Sequence, residues 1–367
     1  MIMAVTRGVP MHSLFNQRTG DSMRIKFYVS DHHACGHIRG EIVAREIQRQ
    51  YPNIDMDVKC DVMISDFIRT NIMVFQRPSH VGSIVKMELA KKQGIKVVYD
   101  VDDDFFATPK EFTGPWEYYS KPEIQANIAT AVEASDIVFC STLPLAQAWR
   151  ERFPKKNFMV VKNAIDIDRN EEAYIKRKAG KREGITIGWM ASGSHAATDT
   201  RILGDALDRI MDEHPEVKVH FIGLVNEKIF NGAEKTTYKD RIKCENWVDI
   251  NALPYAMSDF DISLAVIEDN PYNRAKSNIK VLHAGVLGIP TVASNLCVYG
   301  DFRDGHDIAF AKTNDEEGFY QALKRLVTDA ELRKNIGNNI RDTVVTKWDI
   351  RKNVEHWAKA YLHVYRL

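Results

Sequence analysis

Hydrophobic residues in the first half of the chain recur in short runs that alternate with longer amphipathic stretches. From Arg24 onwards the short apolar runs predict strands at Ile25–Ser30, Val62–Ser65, Ile72–Gln76, Val97–Asp100, Ile137–Cys140 and Phe158–Val161. The stretches between them predict helices at Gly40–Gln50, Val81–Lys92, Pro122–Ala134 and Pro144–Arg152. Strands that alternate with helices in this way form parallel sheets with crossover helices on their faces. The pattern therefore predicts a doubly wound α/β domain over residues 23–167.

A highly charged segment, DRNEEAYIKRKAGKREG, interrupts the alternation at residues 168–184 and is predicted to be an interdomain linker. The alternation then resumes with strands and helices predicted at Ile185–Met190, Thr200–His214, Val217–Gly223, Ile262–Val266, Lys276–Leu287, Thr291–Ser294, Ile308–Ala311 and Glu316–Thr328, and with two final helices near Asp329–Val345 and Asp349–Leu367. A chain of 367 residues is too long for one ordinary core. We therefore expect a second Rossmann-like domain over residues 185–345, a C-terminal helix over 346–367, and a cleft facing the carboxyl ends of both sheets.

Composition and charge narrow the class of protein. The 44% hydrophobic and 27% charged residues indicate a folded globular chain, and 50 basic against 50 acidic residues argue against a general nucleic-acid coat. Five scattered cysteines without a C-x-x-C pair predict free thiols in a reducing, cytoplasmic compartment. No apolar run approaches the ~20 residues of a membrane-spanning helix. Residues 1–22 lack hydrophobic periodicity, so we expect a dispensable extension before a strand that opens at Met23.

The segment NRAKSNIKVLHAGVLGIPTVAS, residues 273–294, predicts a phosphate-contacting loop, an amphipathic helix and a buried strand in succession. Lys276, Lys280 and His283 are spaced i, i+4 and i+7, which places them on one helical face. Arg274 and Lys276 lie just before or at the predicted helix N-terminus, where free N–H groups and the helix dipole favour an anion. This pattern predicts a diphosphate ligand.

A second loop, in IGWMASGSH at residues 187–195, follows a predicted strand and consists of small residues. Gly188, Ser192, Gly193 and Ser194 would let a ligand approach the backbone closely. The alternative is a plain tight turn between a strand and a helix, since short glycine patterns are common. Because Arg274 and Lys276 lie in the same half of the chain, we expect the two loops to converge on one diphosphate.

The order of these motifs resembles that of GT-B glycosyltransferases of the glycosyltransferase family 4 type. The resemblance rests on "VVYDVDDDFF", "ASDIVFCSTLPLAQAW" and "MVVKNAIDI" in the first half and on "IGWMASGSHAATDT" and "MSDFDISLAVIEDNPYNRAKSNIKVLHAGVLGIPTVAS" in the second, and covers most of residues 24–345. It implies two Rossmann-like domains, with the acceptor bound by the first and a nucleoside diphosphate sugar by the second. It also implies a last helix that crosses back to the first domain, retention of anomeric configuration, and no essential metal or other cofactor. A nucleotide-sugar epimerase of the same fold and a catalytically inactive nucleotide-sugar-binding protein remain alternatives.

The sequence departs from the family pattern at His283. The family usually has a glutamate there that holds the ribose hydroxyls, and its other familiar glutamate falls near Ala275. An imidazole can also hydrogen-bond a ribose hydroxyl. The predicted donor-binding residues are Gly188, Ser192, Gly193, Ser194, His195, Asn273, Ser277, Lys280 and His283.

Two polar loops of the first half are predicted to reach the cleft. Asp100, Asp102, Asp103 and Asp104 end a strand, and they can bind Mg²⁺ or Mn²⁺, form a solvated loop with a helix cap, or position and deprotonate an acceptor. The loop DHHACGHIR, residues 31–39, follows the first strand. Two of its histidines have the i, i+4 spacing of a zinc pair, but no further ligand has convincing spacing, so contact with acceptor or sugar is the preferred interpretation.

These arguments assign roles on both sides of the cleft. Catalytic roles are predicted for Arg274, Lys276, His37 and Asp103, and acceptor-side roles for His33, Arg39 and Asp102. Arg274 and Lys276 would neutralise the diphosphate leaving group. Glycan, small metabolite, protein and modified nucleobase in DNA all remain candidate acceptors.

Overall fold

A computed structural model of the chain describes residues 2–4, 22–180, 183–190, 198–199, 201–223 and 236–367. Within these residues the strands form two sheets in which every pairing is parallel. The first has the order β1-β7-β6-β5-β4-β2-β3 and the second β10-β9-β8-β11-β12-β13. The strands are β1 Ile2–Ala4, β2 Met23–Tyr28, β3 Ile54–Lys59, β4 Ile72–Gln76, β5 Lys96–Val101, β6 Ile137–Cys140, β7 Phe158–Val160, β8 Ile185–Met190, β9 Val217–Ile222, β10 Ile242–Glu245, β11 Ile262–Ala265, β12 Thr291–Ser294 and β13 Ala309–Ala311.

Helices cover both sheets. The α-helices longer than one turn are Ile42–Gln50, Val81–Lys92, Thr113–Tyr119, Pro122–Ala134, Leu143–Arg152, Ile167–Ala179, Ala206–Glu213, Leu253–Met257, Pro271–Arg274, Ile279–Val286, Glu316–Thr328, Ala330–Lys347 and Ile350–Tyr365. A single α-turn, Ala34–Gly36, and a π-helical turn, His37–Glu41, lead into Ile42–Gln50. None of the described helices combines the length and the apolar character needed to cross a bilayer.

Local sequence explains the best-predicted elements. The helix Pro122–Ala134 begins with a proline, which has no N–H to leave unsatisfied in the first turn. Ile124, Ile128, Ala131 and Val132 form its buried stripe at helical spacing. All five residues of β4 are buried, as expected of a central parallel strand covered on both faces.

Two strands of the first sheet differ from the sequence prediction. Residues Ile2–Ala4 pair with β7 in register Ile2↔Phe158, so this part of the extension adds an edge strand to the sheet, whereas the sequence predicted no element before Met23. The strand expected at Val62–Ser65 is instead a 3-10 turn at Ile64–Phe67. The strand at this edge is β3, whose sequence IDMDVK alternates apolar and polar residues because only one of its faces is buried.

The predicted linker is largely helical. Asp166 accepts a hydrogen bond from the backbone N–H of Arg169 and caps the helix Ile167–Ala179. Ile167 and Ala173 are buried on one face, and the guanidinium of Arg341 lies 3.4 Å from the ring centre of Tyr174. The helix therefore packs on the second domain.

The last helix, Ile350–Tyr365, leaves the second domain and packs on the first sheet. Its Tyr361 ring lies 5.8 Å from that of Phe139 on β6, and Trp357 lies 6.5 Å from the same ring. Val354, Trp357 and Tyr361 are all buried. The second domain is thereby tied to the first by both the linker and this helix.

Candidate functional site

A cavity of about 370 Å³ lies between the two domains. The first domain lines it with residues that follow β2, β4 and β5, and the second with residues that end or follow β8, β9, β10 and β11. Loops at the carboxyl ends of parallel strands are where doubly wound sheets bind ligands. The cavity thus occupies the cleft that the sequence predicts.

The first-domain wall of the cavity contains an arginine that no sequence pattern indicated. Arg77 directly follows β4 and has a left-handed backbone with φ of 52°, which is uncommon for a residue with a side chain. Its guanidinium is paired with the carboxylates of Asp102 and Asp103 and lies 3.1 Å from Cys35 Sγ. All four residues line the cavity. No periodic pattern marks Arg77, so only the folded chain reveals its place.

The neighbouring carboxylate of Asp104 turns away from the cavity. It accepts hydrogen bonds from the indole N–H of Trp149 at 3.1 Å and from the backbone N–H of Phe106 at 3.3 Å, and it is buried. Asp102 and Asp104 therefore do not face one site, as a shared metal ion would require. In the described part of the chain, no three His, Cys, Asp or Glu side chains form a group that could hold a metal ion.

The second-domain wall of the cavity carries two lysines. The predicted helix begins only at Ile279, so Lys276 lies in the turn before it and Lys280 in its first turn. Lys276 Nζ reaches across the cleft to Asp103 Oδ1 at 3.2 Å. Lys280 Nζ lies 3.7 Å from Asp199 Oδ2, which is an ion-pair distance but too long for a hydrogen bond. Both lysines and His283 line the cavity, with Ser277 beside them.

Burial shifts the pKa values of both partners in the ion pair between Lys280 and Asp199. It raises the pKa of the Asp199 carboxyl to about 6, although Lys280 and Lys276 act in the opposite direction. It also lowers the pKa of the Lys280 ammonium. Both shifts follow from the cost of holding a charge away from water. A further anion beside Lys280 would favour its charged form.

Arg274 does not line the central cavity, contrary to the prediction that Arg274 and Lys276 bind the same diphosphate. It ends the short helix Pro271–Arg274, is more than half exposed, and forms a bidentate ion pair with Asp269 at 2.5 and 2.9 Å. Its side chain borders a second cavity of about 190 Å³ and does not line the central one. Asn273 is buried and donates to the Glu268 carbonyl at 2.9 Å, so it holds the loop rather than facing the cavity.

The predicted site residues of the loop after β2 lie in different surroundings. His33 lines the central cavity. His37 turns into the domain interface, where it contacts Glu41 at 2.9 Å and pairs with Arg169. The Arg39 side chain is fully buried and bound by Asp100 Oδ1 at 3.0 Å and Asn163 Oδ1 at 3.0 Å, so its guanidinium is already occupied by protein groups. Arg39 also lines the central cavity, where its bound guanidinium supports the wall, and its contact with an acceptor stays a prediction.

Gly188 has a packing role in the structure. It lies within β8, and a Cβ atom there would meet the ring of Phe260 at 2.0 Å. The missing side chain makes room for this ring, whereas the prediction assigned the space to a ligand. The other predicted residues of this loop, Ser192, Gly193, Ser194 and His195, lie outside the described residues.

The second domain also supplies an apolar wall that sequence patterns did not indicate. Trp247 follows β10 and is 56% exposed although it lines the cavity. Val248, Ile250, Met190 and Ile222 lie on the same wall. An exposed indole next to aliphatic side chains offers a flat face on which a heterocycle can stack.

His283 lies at the back of the cavity and is 7% exposed. Burial, followed by the nearby charges of His37 and Arg169, lowers its pKa to about 4. The imidazole is therefore neutral at physiological pH, with one nitrogen able to accept and the other able to donate a hydrogen bond. A neutral ring is suited to a hydroxyl group rather than to a phosphate.

This shift makes stability depend on pH. An unfolded histidine takes up a proton near pH 6.5 and the folded His283 only near pH 4, so stability is intact above pH 6.5 and lost as the pH falls through this window. Between pH 7 and pH 4 we expect the free energy of unfolding to fall by about 3 kcal/mol more in the wild type than in His283→Leu. Urea unfolding at several pH values measures the difference. Equal slopes for wild type and His283→Leu would contradict the assignment.

Comparisons with known proteins identify the fold. Residues 201–359 match a family model described as glycosyl transferase-like. HepE from Anabaena in complex with UDP-glucose has a TM-score of 0.63 at 14% identity, covering 93% of this chain and 100% of that one. A glycosyltransferase from Rickettsia africae ESF-5 has a TM-score of 0.62 at 12% identity, covering 94% and 99%. A putative UDP-N-acetylglucosamine 2-epimerase from Listeria monocytogenes has a TM-score of 0.59 at 10% identity, covering 94% and 98%.

These similarities confirm the predicted α/β fold of GT-B type, with a glycosyltransferase-like region in the second half of the chain. A sequence search of curated proteins finds no match. The narrower assignment to glycosyltransferase family 4 stays a prediction.

Proposed function

We propose that this protein transfers a sugar from a uridine diphosphate sugar to the hydroxyl group of an acceptor. The observation that carries the proposal is the central cavity, where Lys276 and Lys280 of one domain face Asp102 and Asp103 of the other. The HepE complex with UDP-glucose, on the same fold, supports uridine diphosphate as the carrier. Cations on one side and carboxylates on the other are suited to a diphosphate leaving group and an acceptor hydroxyl respectively.

The cavity offers a subsite for each part of such a donor. The nucleobase would stack on Trp247, and the diphosphate would bind Lys276 and Lys280. The neutral imidazole of His283 would accept or donate a hydrogen bond to a ribose hydroxyl, in place of the glutamate that the family resemblance leads one to expect. Backbone N–H groups near Ser192–Ser194 remain a predicted addition to the diphosphate site.

In the proposed reaction the bond between the anomeric carbon and the diphosphate oxygen breaks, and a bond to the acceptor oxygen forms. Lys276 and Lys280 stabilise the negative charge that develops on the departing diphosphate. Asp103 lies on the opposite wall, where it can hold the acceptor hydroxyl and receive its proton. Retention of anomeric configuration is part of the proposal through the family resemblance alone.

A panel of nucleotide sugars tests the proposal. We expect UDP and at least one UDP-sugar to raise the melting temperature, because a ligand that binds only the folded state stabilises it. The stabilising UDP-sugar should then release UDP when it is incubated with candidate acceptors from the glycan, metabolite, protein and DNA classes. Recovery of an epimerised free UDP-sugar would instead favour the epimerase, to which the similarity with the Listeria protein points. Binding without turnover across these acceptor classes would favour a binding protein.

Transfer is expected to be independent of a divalent metal ion. The carboxylates of Asp102 and Asp103 are already paired with Arg77 and Lys276, while Asp104 is turned into the core. Two lysines are available to neutralise the diphosphate, a role that a metal ion fills at other sites. Treatment with EDTA should therefore leave the rate of UDP release unchanged. Loss of activity with EDTA and its return with Mn²⁺ would show that the acidic loop binds a catalytic ion.

A further inference from the structure

One carboxylate in the cavity joins the two domains. Asp103 Oδ2 accepts from Arg77 Nη2 at 3.1 Å within the first domain, and Asp103 Oδ1 accepts from Lys276 Nζ of the second domain at 3.2 Å. The side chains of Asp103 and Lys276 are 17% and 21% exposed, so both are open to the cavity. The cation predicted to bind the donor therefore already has an anionic partner.

The backbone around Lys276 is fixed across the domain interface. The hydroxyl of Thr142 donates to the carbonyl of Ala275 at 2.6 Å, and the side-chain amide of Asn163 donates to Ser277 Oγ at 3.0 Å. The ammonium of Lys276 also lies 4.5 Å from the ring centre of Tyr272. These contacts hold the backbone on both sides of Lys276 against the first domain, so the lysine lies within reach of Asp103.

We propose that Asp103 is a built-in competitor of the donor, and that the diphosphate must take Lys276 from it in order to bind. This inference rests on the proposed function. A diphosphate carries more than one negative charge and several acceptor oxygens, so it can outcompete a single carboxylate that is partly exposed to solvent. The pairing with Asp103 lowers the affinity for the donor by the amount needed to break it.

When the diphosphate takes Lys276 from Asp103, the first-domain wall of the cavity also changes. Arg77 still holds Asp103 Oδ2 after Lys276 has left, while Asp103 Oδ1 no longer contacts the lysine. A carboxylate oxygen in an ion pair is a weaker acceptor for a hydroxyl proton than one that has lost this cation. Donor binding therefore removes one cation from the carboxylate that the acceptor hydroxyl would contact.

The test measures how tightly UDP and uridine bind to variants of the full chain, by isothermal titration calorimetry at about 0.15 M ionic strength, where the screening length is about 8 Å. Asp103→Asn removes the competing charge, so UDP should bind about five- to tenfold more tightly than to the wild type. Asp102→Asn is the matched control, because it removes an equal charge next to the same Arg77 but not one bound to Lys276. It should strengthen UDP binding less than Asp103→Asn does, because the contact with Lys276 is kept. Uridine, which lacks the diphosphate, should bind all three proteins equally.

A double-mutant cycle separates the ion pair from a general effect of charge. In a Lys276→Met background, Asp103→Asn should no longer strengthen UDP binding, because the pair is already broken. If Asp103→Asn does not fold, Asp103→Ser repeats the comparison with another uncharged side chain. Equal UDP affinities for the Asp103 and Asp102 variants, or an Asp103→Asn effect that persists without Lys276, would overturn the inference while the proposed function stands. A wild-type protein that binds no UDP would overturn both.

Discussion

Replacing Arg39 by alanine is expected to lower the free energy of unfolding by about 3–5 kcal/mol, because it leaves a buried carboxylate without its partner. Arg39 and Asp100 are both fully buried and are joined at 3.0 and 2.5 Å. The same guanidinium donates to the carbonyl of Val161 at 2.6 Å and lies 4.6 Å from the ring centre of Trp357. Its removal therefore also leaves a cavity and an unsatisfied carbonyl.

Equilibrium unfolding in urea, followed by circular dichroism, measures this loss. The double variant Arg39→Ala with Asp100→Asn should recover part of the stability, because the orphan charge is gone. Arg45→Ala is the matched control on the same part of the chain. Its side chain is 55% exposed, and its partner Asp166 also accepts a hydrogen bond from the backbone N–H of Arg169, so the loss should be much smaller than for Arg39→Ala. An Arg39 variant no less stable than the Arg45 variant would show that the buried pair is not a structural support.

The position of Arg39 explains why so large an effect is expected. Its contacts connect the loop after β2, the end of β5, the segment at Val161–Asn163 and the last helix. Asn163 in turn donates to Ser277, which lies in the turn before the helix Ile279–Val286. One buried cation thus fixes the relative positions of the two walls of the cavity.

The sequence predicted those elements whose signals are local. The strands Ile72–Gln76 and Thr291–Ser294 and the helices Pro122–Ala134 and Glu316–Thr328 have the bounds expected from apolar runs and helical spacing. The edge strand Ile54–Lys59 was missed because half of its residues are polar, and polar alternation over six residues is a weak signal. The linker helix was missed because its buried face is short and its composition is charged.

The candidate site was predictable only where chemistry follows from spacing. Lys276, Lys280 and His283 line the cavity as their spacing suggested, and Asp102 and Asp103 lie opposite them. Arg77 was not predictable, because its role depends on a left-handed backbone at one position and on loops that are distant in sequence. Arg39 lines the cavity as well, but nothing in the sequence shows that Asp100 lies beside it in the core and binds its guanidinium.

Arg274 and Lys276 also show that closeness in sequence does not predict which side of a loop a side chain faces. They are two residues apart, yet the short helix ends between them and Asp269 holds the arginine on the outer side of the loop. We therefore expect Lys276→Met to weaken UDP binding by about 10- to 100-fold, the size of a lost charge-assisted hydrogen bond. The loss should fall near the lower end of this range, because removal of the lysine also removes the pairing with Asp103 that the diphosphate must break.

Arg274→Ala is the matched variant for this prediction. It removes a cation of the same loop that borders the second cavity, and it should change UDP affinity less than about threefold, as expected of an exposed charge at a distance. Both variants should keep the wild-type melting temperature within a few degrees, since Arg274 is largely exposed and Lys276 partly so. Calorimetric titration with UDP gives the two affinities directly. Lys276 borders both cavities, whereas Arg274 borders the second and not the central one. If Arg274→Ala were the damaging substitution and Lys276→Met the harmless one, the proposed contact of the diphosphate with Lys276 would be wrong.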